Sequence, residues 1–144
     1  MSKIHIKNAK IIDPNSDHHN KKRDVYIDNG IIKTIGNDLS TPKQVVVIDD
    51  SNLHLCPGLF DFSVNFAEPG DEQKETLLSG CKSAISGGFT GVGVQPTSTP
   101  PRDNKSAINY CINAVNDLGV KIVPYGALSK ELAGEQLAEM YDMY

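Results

Sequence analysis

An α/β fold, with parallel β/α units following a small all-β segment, is predicted by three features of the chain. Residues 1 to 56 carry only short strand-length apolar runs separated by turns. From Phe60 onward, strand-length runs alternate with segments of helical period, the pattern that builds a parallel sheet. Between the two lies Cys56 to Gly70, where two Pro-Gly turns bracket the alternating run Leu59 to Phe66. That run reads as a buried strand delivering small polar side chains to its C-terminal end.

In the first segment, Ile4 and Ile6 alternate with His5 and Lys7, which places His5 toward solvent or a sheet edge. Asp24 to Ile35 contains Asn29-Gly30 between apolar runs, a strong hairpin signal. Val45 to Ile48 and Leu53 to Leu55 add two short strands. Beyond the central stretch, Asp71 is the expected cap of a helix with Leu77, Leu78, Cys81, Ala84 and Ile85 on one face, stopped by Gly87-Gly88. Phe89 to Gln95 is the next strand. Asp103 is expected to open a second helix bearing Ile108, Cys111, Ile112, Val115 and Leu118, ended by Gly119. Val120 to Tyr125 is a third strand, and Leu132, Leu137, Met140, Tyr141 and Tyr144 mark a third helix.

A net charge of −4 and a pI near 5.5 leave no electrostatic footprint for nucleic acid. The triplet Lys21-Lys22-Arg23 reads as a solvated turn. Cys56, Cys81 and Cys111 form no Cys-x-x-Cys pair, which fits reduced thiols in a cytoplasmic protein. Neither a signal peptide nor a run long enough to span a membrane is expected.

Cys-Pro-Gly-Leu-Phe-Asp-Phe-Ser-Val-Asn-Phe-Ala-Glu-Pro-Gly, from Cys56 to Gly70, resembles the signature of class I dihydroorotases in the amidohydrolase superfamily, Pro-Gly-x-x-Asp-x-His-x-His-x-Arg-Glu-Pro-Gly. Pro57, Gly58, Asp61, Glu68, Pro69 and Gly70 fall in register. Lys74-Glu75-Thr76, Ser86-Gly87-Gly88-Phe89-Thr90 and Pro124-Tyr125-Gly126-Ala127-Leu128 also look like the family pattern. The resemblance implies that residues 1 to 56 are the N-terminal part of a β-sandwich. It likewise implies that residues 57 to 144 are the first three units of a (β/α)8 TIM barrel, truncated relative to a barrel of about 250 residues.

It also implies a chemistry that these residues do not supply. Dihydroorotases of this kind are zinc hydrolases of a cyclic amide in pyrimidine biosynthesis, and the metal lowers the pKa of a bound water to about 7. The two histidine ligands are replaced here by Ser63 and Asn65, a hydroxyl and a neutral amide, both poor partners for zinc. Ala67 stands at the position of the arginine that grips the substrate carboxylate, and Thr97 at that of an asparagine with the same task. Backbone-shaping glycines and prolines are retained, so the expectation is a pseudoenzyme with no catalytic residue and no bound cofactor. By analogy with inactive dihydroorotase homologues, its expected role is a structural partner, for example of aspartate transcarbamoylase, or self-association. The alternative is an active dihydroorotase or hydantoinase-like hydrolase drawing metal ligands from later strands.

Other polar residues read more plainly. His18-His19 and His54 are expected to be solvated, and Cys81 and Cys111 to fill the core. Glu68 is expected to be solvated or ion-paired. Gly91-x-Gly93 lies within a strand and lacks the third glycine of a phosphate-binding fingerprint.

Overall fold

The computed structural model describes residues 3–115 and 118–144. The protein is mixed α/β and divides into two compact units, Met1–Pro57 and Gly58–Tyr144, one residue beyond the boundary expected from sequence.

The first unit is a five-stranded sheet in the order Ile31–Gly36, Lys22–Asp28, Lys3–Ile11, Val46–Asp49, with His54–Leu55 also pairing Lys3–Ile11. Strands β1 (Lys3–Ile11), β2 (Lys22–Asp28) and β3 (Ile31–Gly36) are antiparallel, whereas β4 (Val46–Asp49) and β5 (His54–Leu55) run parallel to β1. The β2–β3 hairpin turns where the sequence predicts: Asn29 and Gly30 have φ of 54° and 75°, the left-handed pair of a type I′ turn. Lys22 and Arg23 belong to β2, so only Lys21 of the basic triplet lies in a turn.

His5 is fully buried and does not face solvent. Ile4 and Ile6 are half-buried, and the interior side of β1 carries His5 and then Ala9 and Ile11. Asn8 adopts φ 51° where the register of β1 against β2 shifts, which re-aims the strand between its two ends.

The second unit is a parallel sheet of β6 (Leu59–Val64), β7 (Phe89–Val94) and β8 (Lys121–Pro124), with β7 in the middle. Helix α1 (Leu77–Ser86) connects β6 to β7, and α2 (Lys105–Asn113) lies between β7 and β8. Phe66, Leu77, Cys81, Val92, Val94, Cys111 and Val120 form the core between sheet and helices, with Val64, Ala84, Val115, Leu118 and Ile122 packed against it. Each large aliphatic side chain there stabilises the fold by about 1.5–3 kcal/mol. Cys81 and Cys111 occupy the core as expected, and burial pushes the Cys81 thiol up to about 11.

Four expectations are corrected. Strand β6 is not buried: it is an edge strand, and Phe60 and Phe62 are 37% and 73% exposed. Helix α1 is capped by Thr76, in a reciprocal box with Ser79, while Asp71 lies a turn upstream paired with Lys74. Helix α2 is capped by Asn104, one residue after Asp103, and ends at Asn113, so Val115 and Leu118 reach the core from the segment beyond it. The third helix is reduced to a 3-10 turn, Lys130–Leu132, and a single turn, α3 (Met140–Met143). Glu131, Leu132 and Gly134 all have positive φ, and a bridge between Ser129 and Leu137 folds the segment back on itself, leaving Leu137, Tyr141 and Tyr144 exposed.

Candidate functional site

The C-terminal ends of β6 and β7 gather the residues that the sequence singles out. Asp61 accepts the backbone N–H of Ser63 at 2.9 Å, which shapes the end of β6. Gln95 Nε2 donates to Ser63 Oγ at 3.3 Å, and Thr97 Oγ1 donates to Asn65 Oδ1 at 2.7 Å. Three of the four replaced positions are thereby tied into cross-strand hydrogen bonds, two of them to each other. Asn65, Ala67 and Thr97 line one pocket of about 370 Å³ with Asp71, Lys74 and Glu75.

The cation of that pocket is already paired, and Glu75 adds a second carboxylate. Lys74 Nζ lies 2.9 Å from Asp71 Oδ2, and this contact holds the Asp71 carboxyl below its usual range. Glu72 is lowered chiefly by the Gly70 backbone N–H, which donates to its carboxylate. Ala67 offers no donor, so no planar fork is available for a substrate carboxylate.

Two groups behind the pocket hold its walls. Glu68 is half-buried and, among the described residues, held by hydrogen bonds and not by an ion pair: Oε2 accepts the Leu77 N–H at the start of α1 over 2.7 Å, and Oε1 accepts the Tyr110 hydroxyl from α2. That contact pushes the Tyr110 phenol up to about 12. Arg102, fully buried, donates to the carbonyl oxygens of Gln95 and Glu68, while its own backbone meets Pro96 O and Ala127 N. One side chain thus joins the loops that follow β6 and β7, and its backbone adds the loop after β8. Burial lowers its pKa, and among the described residues its Nε has no hydrogen-bond partner. Sequence reasoning missed Arg102, which sits in a Pro-Pro-Arg-Asp loop with no periodicity to mark it as interior.

Gly58 and Gly70 are fixed by close approach. A Cβ on Gly58 would sit 2.1 Å from Thr90 Oγ1, and one on Gly70 would sit 2.4 Å from Thr99 O, at a φ of +110°. Pro57 and Pro69 flank these turns.

The zinc implied by the family motif does not fit these residues. Asn65 already spends its amide oxygen on Thr97, Ser63 accepts from Gln95, and neither is an imidazole or a thiolate. Among the described residues no group of three or more His, Cys, Asp or Glu is placed to hold a metal ion. His18 and His19, half-buried in the turn after β1, belong to no such group, and His54 is exposed.

Parallel β/α units with polar groups gathered at their strand ends define an α/β protein with a strand-end site. Residues 53–143 match the dihydro-orotase-like family, and the chain belongs to it. It is 37% identical over 139 residues to a dihydroorotase of Trichlorobacter lovleyi, covering 96% of this chain and 32% of that protein. To a dihydroorotase of Aquifex aeolicus it is 33% identical over 144 residues, covering 99% and 34%. The chain therefore spans about a third of the length of the curated relatives it matches. Its fold is similar to that of an L-hydantoinase (dihydropyrimidinase) from Arthrobacter aurescens, with a TM-score of 0.74 at 22% identity over 90% of this chain and 28% of that one. Among the described residues no helix is long and apolar enough to cross a membrane.

Proposed function

We propose that the chain is a dihydroorotase-like protein of pyrimidine biosynthesis that has lost hydrolytic chemistry and serves as a cytoplasmic structural partner. In this reading residues 1 to 56 contribute to a β-sandwich and residues 57 to 144 open a TIM barrel. The hydrogen bond from Thr97 to Asn65 carries the proposal, because it closes a position that a metal ligand would hold open. Ser63 and Ala67 extend the argument to the second ligand and to the carboxylate clamp. A scaffold whose turns are intact while its ligand positions carry weak oxygen donors suits assembly better than turnover, and aspartate transcarbamoylase is the partner we propose.

The test is elemental analysis for zinc on the purified protein, with a dihydroorotate turnover assay and co-purification with aspartate transcarbamoylase. Absence of stoichiometric zinc, no turnover and a stable complex are expected. Stoichiometric metal together with turnover would establish the active cyclic amidohydrolase instead. A metal-free protein that ignores the transcarbamoylase at micromolar concentration would remove the proposed partner.

A further inference from the structure

A second cluster lies in the N-terminal unit, apart from the strand-end pocket. His5 Nδ1 lies 3.0 Å from Thr41 Oγ1, and on the other side of the same ring Nε2 lies 3.4 Å from Asp24 Oδ2. Asp24 is held from two directions: Asn8 N–H donates to Oδ1 at 2.8 Å and Leu39 N–H to Oδ2 at 2.9 Å. Burial raises the Asp24 pKa, but those backbone bonds and His5 outweigh it and keep the carboxyl below its usual range. His5 is fully buried, and among the described residues Nε2 has the Asp24 carboxylate as its charged neighbour but makes no hydrogen bond, whereas Thr41 is exposed. A fixed carboxylate, an interior imidazole and an exposed hydroxyl therefore stand in line.

That order matches the arrangement by which an imidazole, oriented by a carboxylate, activates a hydroxyl nucleophile. With Asp24 facing Nε2–H, the Nδ1 lone pair faces the Thr41 hydroxyl and can take its proton. A cavity of about 580 Å³ lined by Lys7, Asn8, Lys22, Arg23, Asp24 and Leu39 lies on the Asp24 side of the cluster. Neither His5 nor Thr41 lines it, so a reactant meets the exposed Thr41 from solvent.

The geometry points to Thr41 as a base-activated acyl acceptor, in a site independent of the amidohydrolase reading. Thr41 Oγ attacks the carbonyl carbon of an activated ester and forms a new C–O bond, while the hydroxyl proton passes to His5 Nδ1. The tetrahedral adduct collapses as the C–O bond to the leaving group breaks, and the alkoxide or phenolate departs with its electron pair. Thr41 is left as an O-acyl ester, and Asp24 stabilises the imidazolium until its proton returns to solvent.

Treatment of the intact protein with p-nitrophenyl acetate, following nitrophenolate release and mapping acetylated peptides by mass spectrometry, tests this. We expect a stoichiometric burst and one acetyl on Thr41, with the burst abolished in Thr41→Val and its rate lowered about 10²-fold or more in His5→Gln, the scale of general base assistance. Thr41→Ser should keep the burst. Acetyl groups confined to lysines or the N-terminus, or a burst unchanged in Thr41→Val, would overturn the proposal. Thr41→Val alters an exposed loop position and decides the question even if His5→Gln disturbs the sheet.

Discussion

Thr97 Oγ1 donates to Asn65 Oδ1 over 2.7 Å, joining the segment after β6 to the segment after β7. Two positions that differ from the family motif are therefore one structural unit. Asn65→Ala and Thr97→Val should each cost about 0.5–1 kcal/mol, the lower part of the range for a hydrogen bond because both residues are exposed. The double variant should cost little more than the larger single. Urea unfolding of the four proteins measures the coupling, and strictly additive losses would show that the contact contributes nothing.

Restoring imidazoles at both ligand positions should reverse the donor chemistry. Ser63→His with Asn65→His is expected to raise zinc affinity at least about tenfold, or about 1.4 kcal/mol, relative to the present hydroxyl and amide. The same change removes the acceptor of the Thr97 bond, so stability should fall by about 1 kcal/mol without metal and recover when zinc is added. Zinc titration followed by calorimetry and thermal melting reads both effects. Equal affinity in the two proteins would mean that these positions do not limit metal binding.

How much of this was legible in the sequence follows from the range of the forces involved. The Asn29-Gly30 hairpin, the three parallel strands and the cysteines of the core are set by local backbone preference and apolar period, so they could be read directly. Asp71 and Thr76 are both good caps for α1 by residue type, and only the reciprocal bond between Thr76 and Ser79 decides between them. The spacing of Leu132, Leu137 and Met140 suggests a third helix, which Gly134, at a φ of 78°, interrupts. At the candidate site, residue identities exposed the missing imidazoles, while the bonds to Gln95, the buried Arg102 and the Tyr110 to Glu68 contact arise between distant segments. His5 shows the same limit: alternation put the isoleucines inward, and Asp24 and Thr41 supply the partners that let the imidazole take the interior.

Gly80 on α1 faces the Phe66 ring so closely that an added Cβ would lie 2.2 Å from Cε1. Alanine normally favours a helix over glycine by about 1 kcal/mol, yet here it must displace a core aromatic that is 5% exposed. Overpacking of this kind costs about 1–3 kcal/mol. Gly80→Ala should therefore be neutral to destabilising by about 2 kcal/mol, measured as a lower urea midpoint. Gly80→Ala combined with Phe66→Leu should lose less than the two changes summed, because the leucine vacates the space the methyl needs. A stabilised Gly80→Ala single variant would mean that helix propensity, not the Phe66 ring, controls this position.

Tyr110 and Glu68 link α2 to the loop after β6, and the hydrogen bond between them favours the neutral phenol. The folded phenol titrates near 12, above the ordinary value near 10, with the Glu68 contact as the main cause. Because the folded value is raised, this group's contribution to stability is complete below about pH 10. It is lost as the pH climbs from there toward 12. Tyr110 is 46% exposed, so solvent screens the charge effect, and the contribution expected is that of one hydrogen bond to a charged acceptor on a partly wet surface. Absorbance at 295 nm should show one phenolate step later than the others, missing in Tyr110→Phe and moved toward 10 in Glu68→Gln. Glu68→Gln also weakens the acceptor that holds the Leu77 N–H, so its loss of stability below pH 10 should exceed that of Tyr110→Phe. A wild-type protein whose phenols all titrate together near 10 would show that the hydroxyl and carboxylate do not meet in solution.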